Sequence, residues 1–156
     1  MSFLRKIAAF CALLAMPVAV HSLPPAASSA PGPAEVHVKV SHLRSAKGAV
    51  LACLTADPQR FPRCADDGRA KRVQVSAAQA NAIVFRGIRP GRYAIALLHD
   101  ENGNGKADRA LTMIPREGFG FSRDAKVKMG PPRFDEAAFA VTGGDTSLII
   151  TMRYML

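Results

Sequence analysis

From Val36 onward this 156-residue chain carries short runs of alternating apolar residues, each closed by a turn signal. Val36, Val38 and Val40 alternate with His37, Lys39 and Ser41, the two-residue period of a strand with one face in water. Residues 45–48 turn the chain, and the apolar run 49–54 predicts a second strand. Residues 72–76 and 82–86 predict two more, joined through 76–82, the one place where a helical turn fits. Arg89, Pro90 and Gly91 form a turn, because proline presets one dihedral and glycine accepts a positive φ. A fifth strand follows over 93–98, and 137–141 and 147–154, on either side of a turn at 142–145, predict a closing hairpin.

Seven short strands with turns between them predict an all-β fold: a single antiparallel β-sandwich, immunoglobulin-like or transthyretin-like. The chain has no tryptophan, and its cysteine spacing is not that of an antibody domain. Between the fifth and sixth strands, residues 100–134 show no regular period. Irregular segments of that length inside compact domains are uncommon and often functional. Phe119, Phe121 and Phe134 stand in this stretch among glycines and prolines. They are candidates for a rigid ligand-binding loop, but a plug over the open end of the sandwich is the favoured reading, since a domain this small needs its apolar side chains for burial.

The first thirty residues have the layout of a secretory signal: Arg5 and Lys6, an apolar run over 7–20, then small residues at 26–30. We read residues 1–30 as a cleaved signal peptide, 31–34 as a disordered lead-in and 35–156 as one domain with one core. The apolar run is short and interrupted by Pro17, so no transmembrane segment is expected in the mature chain. The bulky Phe10 before Cys11 argues against lipidation there. The product is expected in the periplasm or outside the cell.

Cleavage removes two of the 21 basic residues and none of the 12 acidic ones, so the formal charge falls from +9 to +7. A cationic exported protein is drawn to anionic envelope components, through a field screened over about 10 Å at moderate salt. Arg60, Arg63, Arg69, Lys71 and Arg72 form the densest basic cluster and are the anion-binding candidates. Nucleic acid is not an expected partner. Export removes it, and Phe61 is the lone aromatic interleaved with these charges. No feature of the sequence specifies an oligomer.

Loss of Cys11 with the leader leaves Cys53 and Cys64 as an even pair in an oxidising compartment, so they are expected to form one disulfide. For so short a loop the chain-entropy estimate is about 3 kcal/mol.

Residues 99–108 read HDENGNGKAD. Asp100, Asn102, Asn104 and Asp108 match positions one, three, five and nine of a twelve-residue calcium loop, Gly105 takes the turn-permitting sixth, and Lys106 offers its carbonyl. The departure is at position twelve, where Leu111 replaces the bidentate glutamate. Calcium is the candidate ion, at an affinity of about 10⁻⁴ to 10⁻³ M. No cofactor is required. Glu117, Asp135 or Glu136 would have to complete the shell. The competing reading is a set of turns in which Asp and Asn bond their own backbone.

The runs PGRYAIALLHDENGNGKAD, IPREGFGFS and GPPRFDEAAF together resemble domain-of-unknown-function family 2141, a group of bacterial exported proteins. That resemblance spans the mature domain and is most specific over residues 90–139. It implies a secreted β-sandwich with no assigned reaction, and the Cys53 and Cys64 pair fits a stapled loop of that kind. A wider likeness, to transthyretin-like and carboxypeptidase-regulatory-like modules, rests on the PG-x-Y strand entry and implies an accessory role. Tyr93 then packs, with its hydroxyl tying down a neighbouring loop.

The chain has no G-x-S-x-G, no HExxH and no phosphate-cradling glycine loop. The expected function is therefore a non-catalytic binding or structural module of the cell envelope. One alternative is an anionic-polymer binder acting through the basic loop. Another is a small metal-assisted hydrolase using His99 and Asp100, although adjacent strand residues point to opposite faces.

Overall fold

The computed structural model describes residues 32–64, 67–105, 109–110 and 114–155; the expected leader falls outside them, as do Lys106, Asp108 and Leu111. Ten strands are described: β1 Ala34–Ser41, β2 Ala49–Thr55, β3 Lys71–Ser76, β4 Ile83–Ile88, β5 Gly91–Asp100, β6 Arg109–Ala110, β7 Ile114–Pro115, β8 Gly118–Phe121, β9 Phe139–Val141 and β10 Thr146–Thr151. A short helix, α1, spans Phe134–Ala137, and a 3₁₀ turn spans Ala77–Ala82, where the sequence allows one. The chain is all-β, as expected. β1 begins at Ala34, which is buried and paired with Ile88, so the fold starts inside the expected lead-in.

Two sheets carry the structure. One has the order β10-β1-β4. The other has the order β3-β2-β5-β8, with β9 paired to the first residues of β5. β6 and β7 pair only with each other. Most neighbours are antiparallel, but β1 and β10 run parallel, Val36 to Ser41 against Thr146 to Thr151. The expected closing hairpin is therefore replaced by a crossing. β9 joins β5 in the larger sheet while β10 joins β1 in the smaller one, so the turn between them carries the chain from sheet to sheet. Gly143 allows that reversal with φ at 106°.

Alternation explains the packing. Val36, Val38 and Val40 of β1 meet Val50, Ala52 and Leu54 of β2, Ile83 and Phe85 of β4, and Ile95 and Leu97 of β5 in a core between the sheets. Each such side chain contributes about 1.5–3 kcal/mol on burial. The opposite face of β5 carries Ala94 and Ala96. These small residues leave room for Phe61, Phe121 and Phe134, which form a second core with Ala125, Ala137 and Ala138. Phe61 sits edge-on to Phe121 at 5.8 Å and to Phe134 at 6.2 Å.

Phe61 reaches that core from the loop that the Cys53–Cys64 disulfide closes, with the Cα atoms 6.3 Å apart. Ser122, fully buried at the end of β8, ties three elements to the same region. Its hydroxyl accepts the Ile95 N–H at 2.9 Å and donates to the Ala137 carbonyl at 2.6 Å. Among the described residues no helix is long and apolar enough to cross a membrane.

Candidate functional site

β5 is ten residues long, about 33 Å at the usual strand rise, and the candidate residues divide between its two ends. At its final end His99 and Asp100 are both buried. His99 Nε2 lies 2.9 Å from the Lys47 carbonyl, which can only accept, so this nitrogen carries a hydrogen. His99 Nδ1 lies 2.7 Å from the Tyr154 hydroxyl. That hydroxyl accepts the Arg44 N–H at 3.2 Å, which leaves its own proton for Nδ1. The tautomer is assigned from these partners. Both ring nitrogens are thus engaged at a site with no solvent exposure.

The same network extends outward. The Arg44 guanidinium stacks 4.5 Å over the Tyr154 ring and donates to Glu101 Oε2 through Nε at 2.9 Å. Ser45 donates its hydroxyl proton to Glu101 Oε1 at 2.6 Å. The Arg44 and Ser45 hydrogen bonds hold the Glu101 carboxyl well below its ordinary value, at about 2. Glu101 in turn raises Arg44, and burial raises the Tyr154 phenol. Sequence reading missed this cluster because Arg44 and Tyr154 are 110 residues apart. A clue lies in Gly118, paired with His99 across β8: a Cβ there would sit 2.3 Å from the Tyr154 ring.

Asp100 begins the candidate cation loop. One carboxylate oxygen accepts the N–H of Gly103 at 2.7 Å and of Asn104 at 3.2 Å, and the other accepts the N–H of Gly105 at 2.7 Å. Asn102 accepts a second bond from the Asn104 N–H at 3.0 Å. These are the self-bonding turns that competed with the ion-binding reading. The three carboxylates offered as distant ligands do not gather. Asp135 pairs with Arg92 and Glu136 accepts the Arg133 N–H, both near the other end of β5. Glu117 alone stands at the loop's end, one residue before the Gly118–His99 pair. Among the described residues, no three His, Cys, Asp or Glu side chains are grouped as metal ligands.

Three candidate aromatics fall in the packing. Phe121 and Phe134 are buried core residues and Phe119 is half-buried beside Phe121, ring centres 6.0 Å apart. They cover the outer face of the larger sheet, not the open end of the sandwich, and pack there instead of forming an open ligand-binding loop. The reason is the alanine face of β5, which would otherwise lie bare.

At the first end of β5 a groove of about 620 Å³ opens between the stapled loop, the start of β3 and the β4–β5 turn. It divides the five anion-binding candidates. Arg69 and Lys71 line it, together with Arg89 from a distant part of the chain. Arg72 does not line it, and its side chain donates to the carbonyls of Cys64 and Asp67. Arg60 and Arg63 are exposed outside the groove. Tyr93 forms part of the wall, and its hydroxyl donates to the Arg89 carbonyl at 3.0 Å, the loop-tying bond expected of it.

Residues 38–149 match the model of a bacterial family described as "Uncharacterized protein conserved in bacteria (DUF2141)". The chain belongs to DUF2141. The matched span holds the disulfide, the groove and the Asp100 loop, so all three lie within the DUF2141 domain. It ends before Tyr154, whose bond to His99 therefore ties the last residues of the chain to the domain. No curated protein and no solved structure matches the chain.

Proposed function

We propose that the protein is a non-catalytic binding module of the bacterial cell envelope, exported to the periplasm or the cell exterior, and that it associates with anionic envelope material through its basic surface. One observation carries this reading: His99 and Asp100, the pair proposed for catalysis, are engaged inside the fold while the cations are displayed outside. His99 has both nitrogens bonded and no exposure, and Asp100 spends its carboxylate on three backbone N–H groups. A general base must reach a substrate proton, and a buried ring with both nitrogens taken does not. Arg60, Arg63, Arg69, Lys71 and Arg89 by contrast are all exposed. As far as Gly105, the Asp100 loop is stiffened by bonds from its own backbone to the Asp100 carboxylate.

Attraction of this kind is long-range and screened by salt. The full chain is expected to be retained on an immobilised anionic polysaccharide at low ionic strength and to elute as salt is raised toward about 0.5 M, where the screening length falls well below 10 Å. Column retention at stepped salt is the measurement. Passage through the column at low salt, or retention that ignores salt, would remove the reading.

A further inference from the structure

The groove at the first end of β5 is built for more than diffuse attraction. Its volume of about 620 Å³ lies within the range of roughly 300–1,000 Å³ usual for small-molecule sites and far exceeds a single inorganic anion. Three cations line it from two stretches: Arg69 and Lys71 from the connection into β3 and its first residue, and Arg89 from the turn after β4. Among the described residues, none of these three side chains makes a hydrogen bond or ion pair.

The two acids in the wall are engaged differently. Asp67 accepts the Thr55 hydroxyl proton at 2.6 Å and the Arg69 N–H at 2.9 Å, and these bonds hold its carboxyl below its ordinary value. Asp57 accepts the Gln59 N–H at 2.9 Å. Asp57 keeps its second oxygen as an acceptor, and the three cations of the groove outnumber its two acids. Leu54 and Ile88 back the groove from the core, and the half-buried ring of Tyr93 gives it an apolar surface.

We infer that this groove binds a phosphorylated sugar, the three cations holding the phosphoryl group while the sugar ring lies against Tyr93. One guanidinium fork satisfies a planar carboxylate, whereas a phosphoryl group offers three or more oxygens and takes donors from several directions. The remaining volume and that apolar surface suit the carbon face of a sugar ring. Tyr93 acts in part through position, since its hydroxyl bond to the Arg89 carbonyl fixes the turn that presents Arg89. This assignment rests on the anion-binding reading above and gives it a place and a ligand class.

Calorimetric titration of the full chain with glucose 1-phosphate, glucose and inorganic phosphate tests it. Glucose 1-phosphate is expected to bind, glucose not at all, and inorganic phosphate more weakly. Lys71→Ala and Arg89→Ala, both at exposed positions, are each expected to weaken glucose 1-phosphate by about tenfold or more, the scale of a charge-assisted hydrogen bond. The Arg60→Ala/Arg63→Ala double variant, outside the groove, is expected to bind as the parent does. Elution of the protein from a phosphomannan column by glucose 1-phosphate would identify a polymer unit as the source. Binding of glucose 1-phosphate without such elution would identify the free compound. Failure to bind glucose 1-phosphate overturns the assignment, as does equal binding of inorganic phosphate or an equal loss in the Arg60/Arg63 variant. In each of those cases salt-sensitive retention on the anionic column would still uphold the broader reading, and loss of that retention would fail both.

Discussion

Replacing Phe121 with alanine is expected to lower the stability of the domain by about 3–5 kcal/mol, the cost of deleting a large buried ring together with the cavity it leaves. Phe121 is 6 % exposed, and its neighbours Phe61 and Phe134 belong to different elements, the stapled loop and α1. Loss of the ring removes the contact that joins β8 to that loop over the alanine face of β5. Neither Ala94 nor Ala96 has the volume to refill the space. Urea unfolding of the parent and the variant measures the difference, with Phe119→Ala as a companion expected to lose less because its ring is only half-buried. A loss below about 1 kcal/mol for Phe121→Ala would mean that these rings are not structural and would restore them as ligand-loop residues.

Gly48→Ala is the second large effect, and Gly87 supplies its control. Both glycines have φ of 68°, where an alanine pays about 1–2 kcal/mol for its side chain. They differ in their surroundings. A Cβ on Gly87 meets nothing within 4 Å, whereas one on Gly48 would sit 2.0 Å from the Asp100 carbonyl oxygen and 2.7 Å from the Glu101 Cα. Those are backbone atoms of the loop whose conformation the Asp100 carboxylate fixes, and they cannot rotate away. Ala49, the next residue, pairs with both Asp100 and Ser76, so any shift is passed into β2, β3 and β5 together. Gly48→Ala is expected to cost about 3 kcal/mol or more, and Gly87→Ala about 1–2 kcal/mol. Thermal melting of the two variants side by side reads the difference, and equal losses would show that the close approach at Gly48 does not exist.

Much of this architecture was legible in the sequence, and the reasons for success and failure are local. Valines at 36, 38 and 40 announce their strand because one face of β1 is buried and the other is not. The same signal serves β2, β4 and β5. It fails at β8, whose sequence Gly-Phe-Gly-Phe offers glycines where a strand would show apolar side chains. Those glycines are small because Tyr154 lies against Gly118, and Ile150 and Met152 lie against Gly120. That cause is distant in the chain and leaves no periodic mark. The turn before β10 was readable as a reversal, but no turn residue says which sheet receives the next strand.

The functional surface divides in the same way. The stapled loop and the Tyr93 tie were accessible from cysteine arithmetic and a strand-entry motif, and both are present. The basic cluster is five neighbours in sequence, yet folding ties the Arg72 side chain to the Cys64 and Asp67 carbonyls and brings Arg89 from the β4–β5 turn to join Arg69 and Lys71. Side chains that meet through separate strands cannot be grouped by spacing alone. Likewise Asp100 and its asparagines carry the spacing of an ion-binding loop, but the same spacing lets Asp100 cap three amides of its own loop.

The separation between a bonded interior and a binding exterior is tested most directly by Tyr154→Phe, assayed for stability and for retention on the anionic polysaccharide in one preparation. Removing the hydroxyl leaves His99 Nδ1 without its donor at a site with no solvent exposure, a loss of about 1–3 kcal/mol. Retention per folded molecule at low salt is expected to be unchanged, because Tyr154 lies at the other end of β5 from the groove. Retention lost with melting unaltered would contradict this and place the function at the His99 end.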